Sequence, residues 1–171
     1  IGIGVANLDG TFHEANRSFC SMLGYPLEEL KTRTFLQLTH AEDRAATETE
    51  ALRLLDGAID SYSLEKRYVR KGGGVFWSNT TVALMHHENG APSQFLGIVE
   101  DITQRKEADA MRTRLAGVIE FSDDAVVTMT LDGIITSWNP AAQRIYGYTV
   151  EEVLGRPVTM LMPEDHIDEE P

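Results

Sequence analysis

Apolar and polar positions divide the chain into short segments separated by turn residues. Ile3 to Leu8 and Thr11 to Ala15 flank Asp9-Gly10, a two-residue signal for a β-hairpin. Asn16 is a good N-cap for a short helix carrying Phe19, Met22 and Leu23, and Gly24 ends it. Pro26 opens another helical turn, Leu27 to Leu30. From Ala41 to Asp56, Ala45, Leu52 and Leu55 recur at helical spacing, and Gly57 is the stop. Three strands are then expected: Tyr62 to Lys71, Val75 to His86 and Gln94 to Ile102. Gly72-Gly73-Gly74 makes the first reversal and Asn89-Gly90 the second. Turns this short force antiparallel pairing. With the helices covering one face, the expected class is α+β.

The pattern changes over 104–118. Gln104 to Arg114 is charged and lacks Gly and Pro, while Ala108, Met111, Leu115 and Val118 recur with 3-4-3 spacing. Such a narrow apolar seam suits a short coiled coil, and therefore a homodimer. A connector helix packed on its own domain fits the same spacing.

The chain also repeats. Residues 5–33 align without gaps on 128–156, with nine identities in 29 positions. Leu8-Asp9-Gly10 falls on Leu131-Asp132-Gly133, Asn16 on Asn139, Gly24-Tyr25 on Gly147-Tyr148, Glu28-Glu29 on Glu151-Glu152 and Arg33 on Arg156. After one gap, Glu42-Asp43 meets Glu164-Asp165. So long a period means two copies of one domain. The expected organisation is a first domain over 1–103, a linker helix over 104–118 and the N-terminal half of a second domain over 119–171. That second copy lacks three strands, which leaves its first strand, with Val126, Val127 and Met129, unpaired on one side.

Composition narrows the function classes. The 171 residues carry a net charge of −12, which disfavours nucleic acid and anionic membrane surfaces. The longest basic cluster, Lys66-Arg67-Tyr68-Val69-Arg70-Lys71, alternates with apolar residues and reads as the polar positions of a strand. One cysteine, Cys20, rules out an internal disulfide and multi-cysteine metal sites, and it fits a cytoplasmic setting. No apolar run reaches the roughly 18–20 residues of a membrane span. Ile1-Gly2-Ile3-Gly4-Val5 has no signal-peptide pattern, and an apolar opening without Met points to a segment of a longer chain.

Leu-Asp-Gly between two strands, Asn at the first helix cap, Gly-Tyr and Glu-Glu together resemble the N-terminal half of a PAS domain. Leu64-Glu65-Lys66-Arg67-Tyr68-Val69-Arg70-Lys71-Gly72-Gly73 resembles the opening of that domain's C-terminal half. Gly97-Ile98-Val99-Glu100-Asp101-Ile102-Thr103 is similar to the junction where bacterial PAS domains pass into a signalling helix. Ser122-Asp123-Asp124-Ala125 through Trp138-Asn139-Pro140-Ala141-Ala142 resembles a tandem second PAS domain. The resemblance implies a five-stranded antiparallel sheet with short helices on one face, in a sensory protein such as a histidine kinase or diguanylate cyclase.

It also supplies candidate sites. Phe35-Leu36-Gln37 resembles the end of the flavin-binding subfamily's motif, but the adduct cysteine then falls on Arg33, and the flavin-contacting Asn and Gln on Ser78 and Val99. Val99 cannot hydrogen-bond a flavin edge. Haem-binding relatives take their axial His from the long helix, and the stretch from Glu42 to Asp56 has none; His166 sits near the equivalent place in the second copy. His86-His87-Glu88 reads as a polar hairpin end, because neighbouring strand residues point to opposite faces, so no metal is expected. No cofactor is favoured.

By resemblance, a ligand pocket lies between the long helix and the inner sheet face. With Ser78 and Val99 inward, alternation also turns Phe76, Thr80, Val82 and Gly97 inward, and Leu52 and Leu55 close the other side. This set, mostly apolar with two hydroxyls, suits a small apolar or weakly polar ligand, or a packed core. Asp101, Ile102 and Thr103 are the expected relay, with Thr103 capping the helix and Asp101 tethering the strand end. The expected function is a non-catalytic sensory and dimerisation module that relays a signal to an output domain. A haem or flavin sensor and a structural interaction module remain as alternatives.

Overall fold

A computed structural model describes residues 1–162, without the side chains of Ala116 and Val118. Glu164, Asp165 and His166 therefore lie outside the described residues, as does the side chain of Val118. The chain divides into two compact units, Ile1–Glu107 and one starting at Ala108.

The first unit starts with the hairpin of β1 (Gly2–Asn7) and β2 (Phe12–Ala15). Gly10 makes its turn possible at φ 87°, and Asp9 accepts hydrogen bonds from the Thr11 amide and hydroxyl. Asn16 caps α1 (Arg17–Leu23) by accepting from the Phe19 amide at 2.8 Å, and left-handed Gly24 ends it. Next come α2 (Leu27–Leu30) and α3 (Phe35–Leu38). Sequence reading missed α3, although Thr34 and Gln37 form a capping box that signals it. The long helix expected from Ala41 begins as a 3-10 turn, Ala41–Asp43, and continues as α4 (Arg44–Leu55).

Three longer strands follow: β3 (Ser61–Val69), β4 (Val75–His86) and β5 (Pro92–Asp101). They join the hairpin in one antiparallel sheet of order β2-β1-β5-β4-β3. The expected α+β architecture is what forms. The core lies between the sheet and the short helices, where Phe19, Leu23, Leu30 and Leu54 are fully buried. Each contributes about 1.5–3 kcal/mol through apolar burial. Phe12 packs on Phe19 with centroids 5.5 Å apart, and Tyr68 stacks on Phe76 at 5.6 Å. Gly4 admits this packing, since a Cβ there would come within 3.1 Å of the Phe19 ring. Helix α5 (Thr103–Glu120) follows β5.

The second unit repeats the opening. Strands β6 (Val127–Met129) and β7 (Ile135–Trp138) form a two-stranded sheet, followed by α6 (Pro140–Tyr146) and α7 (Val150–Val153). Asn139 caps α6 as Asn16 caps α1, accepting from the Ala142 amide at 2.8 Å, and Gly147 ends α6 in the left-handed region. Ile135, Trp138, Ala142 and Val153 form its core. Among the described residues β6 pairs only with β7.

Candidate functional site

Between the helix-covered face of the sheet and helices α1 and α3 lies a cavity of about 40 Å³. One water needs about 10–15 Å³ of such space, so the cavity suits a few waters or a molecule of roughly four heavy atoms. It is well below the ~300–1,000 Å³ of a drug-sized pocket. Its walls are largely aromatic and aliphatic: Phe12 and Phe19 at one end, Phe35 and Phe95 meeting edge to face at 5.8 Å, and Val82 and Val99 on the floor.

One charged group enters this apolar setting. Lys66 on β3 is 3% exposed and lines the cavity. Its Nζ donates to Thr39 Oγ1 at 3.2 Å and sits 4.6 Å from the Tyr68 ring centre and 6.0 Å from that of Phe35. The Thr39 hydroxyl itself donates to the Phe35 carbonyl at 2.8 Å. Burial pushes the Lys66 amine down to about 7, with the field of Asp43 partly opposing. Burial also pushes the Tyr68 phenol up to about 12, against a hydrogen bond with Thr80, and raises that of Tyr62. Both tyrosines and Thr80 line the same cavity.

The cavity connects to the junction with α5 through the sheet. Lys66 pairs with Ser78 across β3–β4, and Ser78 pairs with Asp101 across β4–β5. Ser78 Oγ donates to the Lys66 carbonyl at 3.0 Å and meets Thr80 Oγ1 at 3.1 Å. At the end of this row, Asp101 Oδ1 accepts from the Thr103 amide at 2.9 Å, and Oδ2 accepts from Arg70 at 3.2 Å. Burial raises the Asp101 carboxyl, but hydrogen bonds from Thr103 and Arg70 outweigh it and hold the group below the usual range. Thr103 Oγ1 accepts from the Trp77 amide at 3.0 Å, and the Ile102 amide donates to the Trp77 carbonyl at 2.9 Å. Ile102 is buried. Glu65 on β3 pairs with Arg105 and, at 2.6 Å, with Lys106 in the first turn of α5.

The cavity holds part of the residue set expected from the sequence. Thr80, Val82, Gly97 and Val99 line it. Phe76 and Ser78 are buried beside it, Phe76 under Tyr68 and Arg70, and Ser78 in the hydrogen-bonded row. Leu55 packs against the core, half-buried. Leu52 is a correction: it is 54% exposed, because α4 turns Thr47, Ala51 and Leu54 inward instead. At the junction the capping roles are exchanged. The Asp101 carboxylate holds the first amide of α5, while the Thr103 hydroxyl binds the Trp77 amide. On α5, Ala108, Met111 and Leu115 are exposed.

Lys66 is the site residue that sequence reading missed. Period-two alternation through Tyr62, Leu64 and Tyr68 places it inward and could have found it. The cavity's size and donors do not suit a flavin. Val99 is apolar, and at the cysteine position Arg33 lies 4.8 Å over the Tyr25 ring. No helix among the described residues is long and apolar enough to cross a membrane.

Comparison with known proteins places these units. The family model described as PAS fold matches residues 12–99, and a second PAS fold model matches 113–171. The chain is 32% identical over 150 residues to the probable diguanylate cyclase DgcE of Escherichia coli, covering 85% of this chain and 14% of that protein. It is 31% identical over 114 residues to the sensor histidine kinase TmoS of Ectopseudomonas mendocina, covering 67% of this chain and 12% of that one. The chain thus spans about a seventh of these relatives or less. The crystal structure of a PAS domain from Colwellia psychrerythraea superimposes with a TM-score of 0.56 at 23% identity, covering 60% of this chain and 86% of that one.

Proposed function

From the premise that this chain belongs to the PAS family, we propose that it is a non-catalytic sensory module that passes the state of its first-unit cavity to α5. Its relatives include a sensor kinase and a cyclase, which supports a signal-sensing role. The observation that carries the reading is the continuity of cavity wall and helix start. Ser78, beside the cavity, is followed in the row by Asp101, and its neighbour Trp77 holds both Ile102 and Thr103. A displaced cavity wall shifts β4 against β5 and changes the hydrogen bonds that set the start of α5. The exposed seam of Ala108, Met111 and Leu115 then offers a second chain a surface to pair with, continued in sequence by Val118. We assign the receiving element to a downstream kinase or cyclase domain of a longer protein.

Asp101→Ala and Thr103→Ala test the relay in that longer protein. Each removes a cap or tether worth roughly 0.5–2 kcal/mol. The first unit should keep its circular dichroism spectrum while the output stops responding to the stimulus. An unchanged response in both variants removes the relay role. A second reading, an interaction module that binds nothing small, draws support from the modest 40 Å³ of the cavity.

A further inference from the structure

We propose that the first-unit cavity takes a small monocarboxylate of about acetate size, held by the ammonium group of Lys66. This assignment rests on the sensory reading above and names its ligand class. Lys66 is an anomaly in an otherwise apolar core. Its Nζ carries three N–H donors, and a single oxygen, Thr39 Oγ1, receives one of them. No carboxylate lies within ion-pair distance of it among the described residues. A buried amine that is to carry charge ordinarily has an anionic partner, and this one faces a cavity instead.

The surrounding groups explain why the missing partner is an anion brought from outside. Asp43 is the carboxylate whose field reaches Lys66, but Arg67 already holds both of its oxygens, through Nη2 at 2.7 Å and Nε at 2.9 Å. His40 and Glu42 lie on the same side and belong to that outer cluster. From the sheet, the hydroxyl-bearing Tyr62, Tyr68 and Thr80 line the cavity, and burial keeps both phenols neutral. A lone ammonium and neutral hydroxyls around a space for about four heavy atoms match a carboxylate with a one-carbon tail. The aromatic walls face that tail.

Binding of this kind takes up a proton. With the free amine near 7, most Lys66 is neutral at pH 8, and an entering carboxylate favours its charged form. Four heavy atoms limit the dissociation constant to roughly tens of micromolar at best, so millimolar binding is the realistic range.

Isothermal titration of the 171-residue chain with sodium acetate at pH 8, in two buffers of different ionisation enthalpy, tests this. Acetamide, the neutral isostere, is titrated beside it. The expected result is saturable acetate binding with uptake approaching one proton per site, and roughly 10- to 100-fold weaker binding of acetamide. Lys66→Met should lose acetate binding by the same factor, with no proton uptake, while melting no lower than the parent chain. Thr39→Val keeps the ammonium and should retain measurable acetate binding, which guards against misfolding of the first variant. Equal binding of acetate and acetamide, or acetate binding that survives Lys66→Met, overturns the carboxylate assignment and leaves the cavity as a ligand site. Binding of neither molecule overturns both.

Discussion

Two basic residues stand side by side on β3 and meet opposite environments. Lys66 turns inward to the cavity, and Arg67 turns outward, where Asp43 accepts from its backbone amide at 2.8 Å and from its guanidinium. The Arg67 hydrogen bonds, opposed by partial burial, hold the Asp43 carboxyl below the usual carboxylate range. A carboxyl lowered in the folded state contributes stability that is complete above its unfolded value of about 4 and is lost as pH falls through the folded value. Asp43→Asn should therefore lower the melting temperature of the first unit by roughly 4–8 °C at pH 7. Below about pH 4 the gap between variant and parent should narrow, and thermal melts across that range check it. A gap that stays constant to pH 2 would assign the effect to lost packing.

Among the elements, α4 and α5 show how far an apolar pattern can be read. In α4, Leu52, Leu54 and Leu55 allow more than one helical phase, and packing against β3 selects the one that buries Ala51 and Leu54. In α5, Met111 is 56% exposed and Leu115 is 52% exposed, so both apolar side chains are open to solvent. If a second chain covers them, Met111→Glu with Leu115→Glu sets like charges against each other across the seam and shifts the protein toward monomer. Sedimentation equilibrium at tens of micromolar reads the change. A monomeric parent chain, or a dimer indifferent to both substitutions, rejects the seam.

On the scale of the whole molecule, the two units differ in how much sheet supports each hairpin. In the first, β1 is bonded to β2 on one side and to β5 on the other. In the second, the equivalent β6 has three residues and one neighbour among the described residues. A two-stranded sheet is marginal in water, so its amides should open at lower cost. Hydrogen exchange should show the amides of β4 and β5 protected at least about 100-fold longer than those of β6 and β7. Comparable protection in both units would show that β6 gains a partner in solution.

Local signals carried most of the architecture. Asp9-Gly10, Asn16, Gly24 and their copies at Asp132-Gly133, Asn139 and Gly147 act within a few residues of backbone, so the local sequence specifies where the hairpins turn and the helices stop. The alternation of β4 similarly places Phe76, Ser78, Thr80 and Val82 on one face. What the sequence left open depends on elements far apart in the chain. The phase of α4 rests on the shape of the sheet beneath it. The partner of Asp101 is Arg70, 31 residues away, and that of Lys66 is Thr39, 27 residues away. Above all, alternation on β3 can point Lys66 inward, but whether a lysine stays buried there is set by neighbours that assemble only in the tertiary fold.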